Sequence, residues 1–226
     1  MRRKHDQPRT EPLRSPQSVN DAPRYSSRLL GGLSSLHDVN ALCIEMLVRA
    51  ARKDRLGEFS LVDELKHPLQ RLTPEVLKRA AQGSVLLTDM QFANLPWWRT
   101  ARDHPTRPAP LPSWRGSFPR DLAVPLARAT LMLCWHSVHS HPENVPLLGV
   151  LAPVAEVIAT LALTDIDRIV ERRFRHLRPR WEDRPAVWRA LLAAAESQDF
   201  RKTRDFNIYS LQLITGELWT SAPAAR

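Results

Sequence analysis

Glycine and tyrosine are scarce in this chain, 7 and 2 residues of 226. Against long Leu-, Ala-, Val- and Arg-rich stretches, that scarcity argues for helix and against a sheet-rich architecture. An all-α protein is expected. Cysteine is limited to Cys43 and Cys134, both inside apolar helical patterns. This excludes a disulfide framework and points to buried free thiols in a reducing cytoplasm. No stretch approaches the ~18 apolar residues of a membrane span. The opening MRRKHDQPRTEPLRSPQ lacks the apolar core of a signal peptide. Catalytic signatures are missing as well: no glycine-rich phosphate loop, no G-x-S-x-G elbow, no H-E-x-x-H, and no carboxylate pair flanking a turn. Glu45, Glu64 and Glu156 stand singly on helical patterns. Nothing argues for an enzyme, a cofactor or a metal centre.

What is present is hydrophobic residue in quantity and positive charge. A hydrophobic content of 43% suffices for one sizeable domain or two small ones with real cores. A formal net charge of +9 attracts polyanions through a sequence-independent, salt-sensitive interaction; a generally basic, solubilising surface has the same composition. His136, His139 and His141 with Cys134 form the one cluster of metal-ligand types. Zinc needs four ligands converging on a point. At helical spacing His136 and His139 share a face that Cys134 and His141 do not join, so the cluster reads as a surface helix end.

In order along the chain, residues 1 to 28 carry seven Lys/Arg against three Asp/Glu, with Pro8, Pro12, Pro16 and Pro23 interrupting helix. A flexible basic arm is expected, able to track phosphates or to stand idle. Leu36, Val39, Cys43, Met46, Leu47 and Ala50 then make one helical stripe. Leu61, Val62, Leu65 and Leu69 form a second, short helix. Thr73-Pro74-Glu75 starts a third, with Thr as N-cap and Pro at the first helical position, and its Leu77, Ala80 and Ala81 face inward. The segment 85–92 is either extended or a last helical turn. Pro105, Pro108, Pro110, Pro112 and Pro119 mark a semi-rigid spacer.

Asp121 is a candidate N-cap for the run LAVPLARATLMLCWHSVHS, apolar over much of its circumference and so suited to a bundle interior or an interface. Leu148-Gly149 then turns the chain into a helix with Leu151, Val154, Val157, Ile158 and Leu161 on its apolar side. A further helix is expected to start at Thr164 as N-cap, with Asp165 and Asp167 in its first turn, and to carry Arg168, Arg172 and Arg175 at helical spacing. Asp183 is expected to cap a run through Pro185 to Ala195, and Phe206 to Leu218 gives a last helix.

Leu148-Gly149-Val150, Ala155, Ile158-Ala159, Leu161, Leu163 and the 166–170 segment resemble the central helical region of the FlhD-like family, a subunit of the bacterial flagellar transcriptional activator. The helix that begins near Asp38 and Asn40 and carries the Leu/Met face resembles that family's opening helix, which helps build its dimer. In that family a cysteine linking two subunits lies in the segment matched by 85–92; the position here is Thr88, so a covalent link is not expected. The cysteine cluster of that family's usual zinc-binding partner is also absent. Sliding residues 40–92 onto 129–181 superposes apolar on apolar: Leu65 on Val154, Leu69 on Ile158, Leu77 on Ile166, Val85 on Phe174 and Phe92 on Trp181. Leu42/Leu131, Leu72/Leu161 and Arg79/Arg168 are identities. Two FlhD-like units packed as a fused pseudo-dimer are therefore expected. The layout would be a disordered basic arm (1–30), a first helical unit (31–99), a Pro-rich linker (100–120), a second helical unit (121–219) and a tail (220–226).

The resemblance implies a cytoplasmic transcriptional regulator that binds DNA and a partner regulatory subunit, with homo-oligomer formation also allowed. DNA phosphates would meet Arg168, Arg172, Arg173, Arg175, Arg178 and Arg180, with Lys78 and Arg79 in the first unit. Such contacts give affinity without base choice. The alternative is a helical adaptor or anti-regulator that does not bind DNA.

Overall fold

The computed structural model describes residues 22–52, 60–104 and 118–221, with side chains from Ser35 onward. The fold is all-α. Its helices are α1 (Ala22–Arg52), α2 (Ser60–Gln70), α3 (Pro74–Ala81), α4 (Leu95–Asp103), α5 (Arg120–Ser140), α6 (Ala152–Ala159), α7 (Leu163–Arg173), α8 (Pro185–Glu196) and α9 (Phe200–Ser221). Two short 3-10 segments, Pro142–Leu148 and Phe174–His176, and one pair of two-residue strands, β1 (Thr88–Asp89) and β2 (Arg178–Pro179), complete the described residues. Among these residues no single helix is long and apolar enough to cross a membrane.

Helices α1 and α5 are the two central pillars. The expected stripe of α1 is buried, and Ile44, Val48 and Ala51 on its other sides are buried as well. The reason is that α1 packs on α2 and α3 of its own half and on α5 of the other. The broad apolar girth of α5 has the same cause, since it packs on α6, α7 and α1. A helix wrapped by neighbours must be apolar nearly all round.

The fourth helix of each half crosses over. Helix α4 packs on α6 and α7, whereas α8 packs on α2 and α3. Each crossing helix has its end held by an arginine of the other half. Arg79 of α3 donates to the Ala195 carbonyl at the end of α8 (2.7 Å), and Arg173 of α7 donates to the His104 carbonyl at the end of α4 (3.2 Å). Cations satisfy the unpaired carbonyls and the negative pole of a helix C-terminus. The anchoring tryptophans also correspond. Trp98 and Trp188 are both almost wholly buried, and their indole N–H groups donate to the Gln91 and Arg180 carbonyls at 3.0 and 2.8 Å. Each carbonyl belongs to a turn containing a non-glycine residue at positive φ, Gln91 at 60° and Trp181 at 56°. That conformation is costly for residues with a Cβ; the packed indole holds the turn in place.

Several local expectations need correction. Helix begins at Ala22, inside the arm expected to reach residue 30, because Pro23 falls in a first turn where its missing N–H is no loss. Residues 1–21 lie outside the described residues. Helix α4 runs to Asp103, into the expected linker, whose prolines from 105 to 112 also lie outside. Helix α9 extends to Ser221, into the expected tail. The cap of α5 is Pro119, not Asp121, which falls in the first turn; the cap of α8 is Arg184, not Asp183. Thr164 does not cap α7. The cap is Ala162, whose backbone N–H donates to the Asp165 carboxylate at 3.1 Å, so an acid reaching back does the work a threonine hydroxyl was expected to do. Thr73 does cap α3, its hydroxyl accepting from the Val76 amide. Gly149 sits at φ +65°, closing the turn before α6.

Candidate nucleic-acid interface and the charged junction

The segment 85–92 is extended, and it forms the seam between the halves. β1 pairs antiparallel with β2 in the register Thr88 to Pro179 and Asp89 to Arg178. Asn40, wholly buried on α1, fixes the approach to β1. Its side-chain N–H donates to the Val85 carbonyl at 2.9 Å, and its carbonyl accepts from the Leu87 amide at 2.8 Å. Thr88 is buried with its hydroxyl 3.1 Å from that of Thr130.

At the seam Asp89 accepts from Arg178 at 2.9 Å, and Glu182 lies 3.7 Å from the same guanidinium. One residue past β2, Arg180 is 4% exposed. It donates to the carbonyls of Leu86 (3.0 Å), Thr88 (3.3 Å) and Leu148 (2.9 Å) and to the carboxylate of Glu217 (3.1 Å). The Trp181 indole donates to the second Glu217 oxygen at 2.6 Å. Arg180 thus ties β1, the Gly149 turn and α9 together. Beside it lies a cavity of about 220 Å³ lined by Asp89, Arg178, Arg180, Glu217 and Gly149.

Burial raises the Glu182 carboxyl to about 7, with Arg178 pulling down and Asp183 and Asp89 pushing up. An acid whose folded pKa lies above its unfolded value of 4.5 makes the folded chain bind a proton that the unfolded chain releases. The contribution of Glu182 to stability therefore falls as pH rises between about 4.5 and 7, and levels off above that window. Glu182→Gln is expected to flatten this dependence and to raise the melting temperature at pH 8 by roughly 2–4 °C, read in thermal melts at pH 5 and pH 8.

The eight cations expected on DNA do not form one surface. Helix α7 ends at Arg173, where the expected helix would have continued; the chain turns through a 3-10 segment into β2, and helical spacing no longer governs residues 174–180. Arg173 and Arg180 are buried. Arg178 is half-buried against Asp89 and Glu182, and Arg79 is half-buried against α8. These four side chains are engaged by partners within the fold. Lys78, Arg168, Arg172 and Arg175 remain exposed. Arg168 pairs with Asp165 at 3.3 Å, and α7 also carries Asp167 paired with Arg128 and Glu171 paired with Arg120. Lys78 sits on α3 in the other half.

Both cysteines are free and their thiols are buried, which pushes their pKa values up. His139 Nδ1 donates to the Trp135 carbonyl (2.7 Å), and the His136 ring lies beside His141. Among the described residues no three His, Cys, Asp or Glu side chains gather as metal ligands. The Asn40 clasp and the Arg180–Glu217 tie escaped the sequence reading. A buried polar residue on an otherwise apolar stripe was the one available signal for the first. Comparison with family models, with curated proteins and with solved structures finds no match for this chain.

Proposed function

We propose that this chain is a transcriptional regulator of the FlhD type, acting in the cytoplasm, in which two fused helical units take the places of two subunits and contact DNA and a partner protein. One observation carries the reading. Asp89 and Arg178 face each other across the strand pair and are separated by 89 positions, the same offset that brings the start of α3 at Pro74 onto the start of α7 at Leu163. In a two-fold pair of identical units, the residue on the axis meets its own equivalent. Reciprocal crossing of α4 and α8 supports the same relation. Lys78 and the α7 arginines would then mark corresponding ends of the molecule, as a regulator reading two half-sites requires.

The test is a gel-shift series over salt with wild type and the Arg168→Glu, Arg172→Glu, Arg175→Glu triple variant. Each lost phosphate contact reduces the slope of log affinity against log salt by about 1, so a reduction of about 3 is expected. Equal affinity and equal slope would defeat the DNA assignment. The second reading, an adaptor without DNA contact, is favoured by the internal engagement of Arg79, Arg173, Arg178 and Arg180 and by the acids interleaved on α7. Retained capture of a partner with no retardation of DNA at low salt would establish it in place of the first.

A further inference from the structure

The wall of the seam cavity carries three guanidinium groups, Arg178, Arg180 and Arg184, and three carboxylates, Asp89, Asp183 and Glu217. Ala93, Trp181 and Leu218 supply its apolar part. Protein interiors leave few voids larger than a water molecule. This one, at about 220 Å³, has the volume of roughly seven waters. It opens where β1, β2, the Gly149 turn, the cap of α8 and the last turns of α9 come together.

Not all of the charge on the wall is spent within the fold. A guanidinium has five N–H groups, and Arg180 gives four of them to Leu86, Thr88, Leu148 and Glu217. The fifth, on Nη1, meets no acceptor among the described residues, although Arg180 is almost wholly buried. Asp183 and Arg184 approach only to 4.0 Å, with side chains 73% and 52% exposed. So loose an exposed pair is exchanged for another partner at little cost.

The six charges sum to zero, and that selects the ligand. A molecule of net charge would leave one charge uncompensated in a half-enclosed space. An uncharged apolar molecule would take water from the ions and return no hydrogen bond. A small zwitterion does neither. We propose that the cavity binds a free α-amino acid with a small side chain, its carboxylate on Arg180 and Arg184 and its ammonium group on Asp183, in exchange for the loose Asp183–Arg184 pair. Bound there, the amino acid touches both halves and α9 at once and stabilises the folded seam by mass action. The assignment does not depend on the DNA reading.

Isothermal titration calorimetry and thermal melts on the full chain test it, with the twenty L-amino acids as probes and acetate and methylamine as half-ligands. At least one amino acid with a small side chain is expected to bind saturably. At a hundredfold excess over its Kd it should raise Tm by roughly 5–10 °C. Acetate and methylamine should each bind at least tenfold more weakly. Asp183→Asn and Arg184→Gln are each expected to weaken the amino acid at least tenfold and to leave the ligand-free Tm within about 2 °C of wild type, because both side chains are largely exposed. No saturable binding by any of the twenty, acetate binding as tightly as the amino acid, or affinity indifferent to both substitutions would overturn the proposal.

Discussion

Arg180→Met is expected to lower the unfolding free energy by about 3–5 kcal/mol, the largest effect of any single side chain at the seam. The guanidinium is buried and serves four acceptors on three separate parts of the chain: Leu86 and Thr88 at β1, Leu148 at the Gly149 turn, and Glu217 on α9. Methionine fills much of the space and supplies no donor. Three carbonyls and one carboxylate then face a low-dielectric region without their partner, and each unsatisfied buried group costs about 1–3 kcal/mol before relaxation. Water entering the adjacent cavity recovers part of that. Urea denaturation measures the change, with Arg172→Met as the exposed comparison, expected within about 0.5 kcal/mol of wild type. Gly149→Ala strikes the same contact from the other side. It places a side chain at φ +65°, and its Cβ would stand 2.6 Å from the Arg180 Cζ. The two changes should therefore be less than additive in the double variant. Full additivity would show that Arg180 and the Gly149 turn are not coupled.

Asn40→Leu is the second large effect, a loss of about 3 kcal/mol. Leucine suits the apolar stripe of α1, and a reading by hydrophobicity alone would rank it as stabilising. Yet Asn40 closes a pair of bonds on the backbone of Val85 and Leu87, on the α1 side of the same segment whose Leu87 carbonyl accepts the Arg180 backbone N–H at 2.8 Å. Removing the amide leaves a buried donor and a buried acceptor open where the halves meet. Hydrogen exchange is the direct measurement: the Leu87 amide should lose its protection, while amides in the middle of α1 keep theirs relative to the new global stability. Unchanged protection at Leu87 would remove Asn40 from this role.

Where the controlling interaction is local, the chain was legible. The Thr73 cap, Pro74 at the first position of α3, the Gly149 turn and the apolar stripes of α1 and α6 all depend on residues within a turn or two of one another. The α7 cap shows the limit of such reading. Thr164 and Asp165 are both good capping residues, and the choice between them depends on which register buries Ile166, Ile169 and Val170, a question settled by the surface of α5 and α4 that α7 meets. The 85–92 segment was ambiguous for a related reason: its extended form is held by Asn40, Arg178 and Arg180, which lie far from it along the chain.

The candidate site divides along the same line. All eight cations carry the same formal charge in the sequence, and their exposure is invisible there. Arg168 and Arg172 lie on α7 and point outward, as helical spacing says. Arg173 shares that helix and is buried, capping α4; Arg178 and Arg180 come after the helix has ended and face the seam.

From its residues alone the chain determines that it is helical, where most helices begin and turn, and which faces are greasy, because periodicity and capping are short-range properties. Only the tertiary structure decides which arginines reach solvent and which are consumed within the fold. A guanidinium is placed by the carbonyls and carboxylates that distant segments bring to it, and no spacing along the chain encodes those distances.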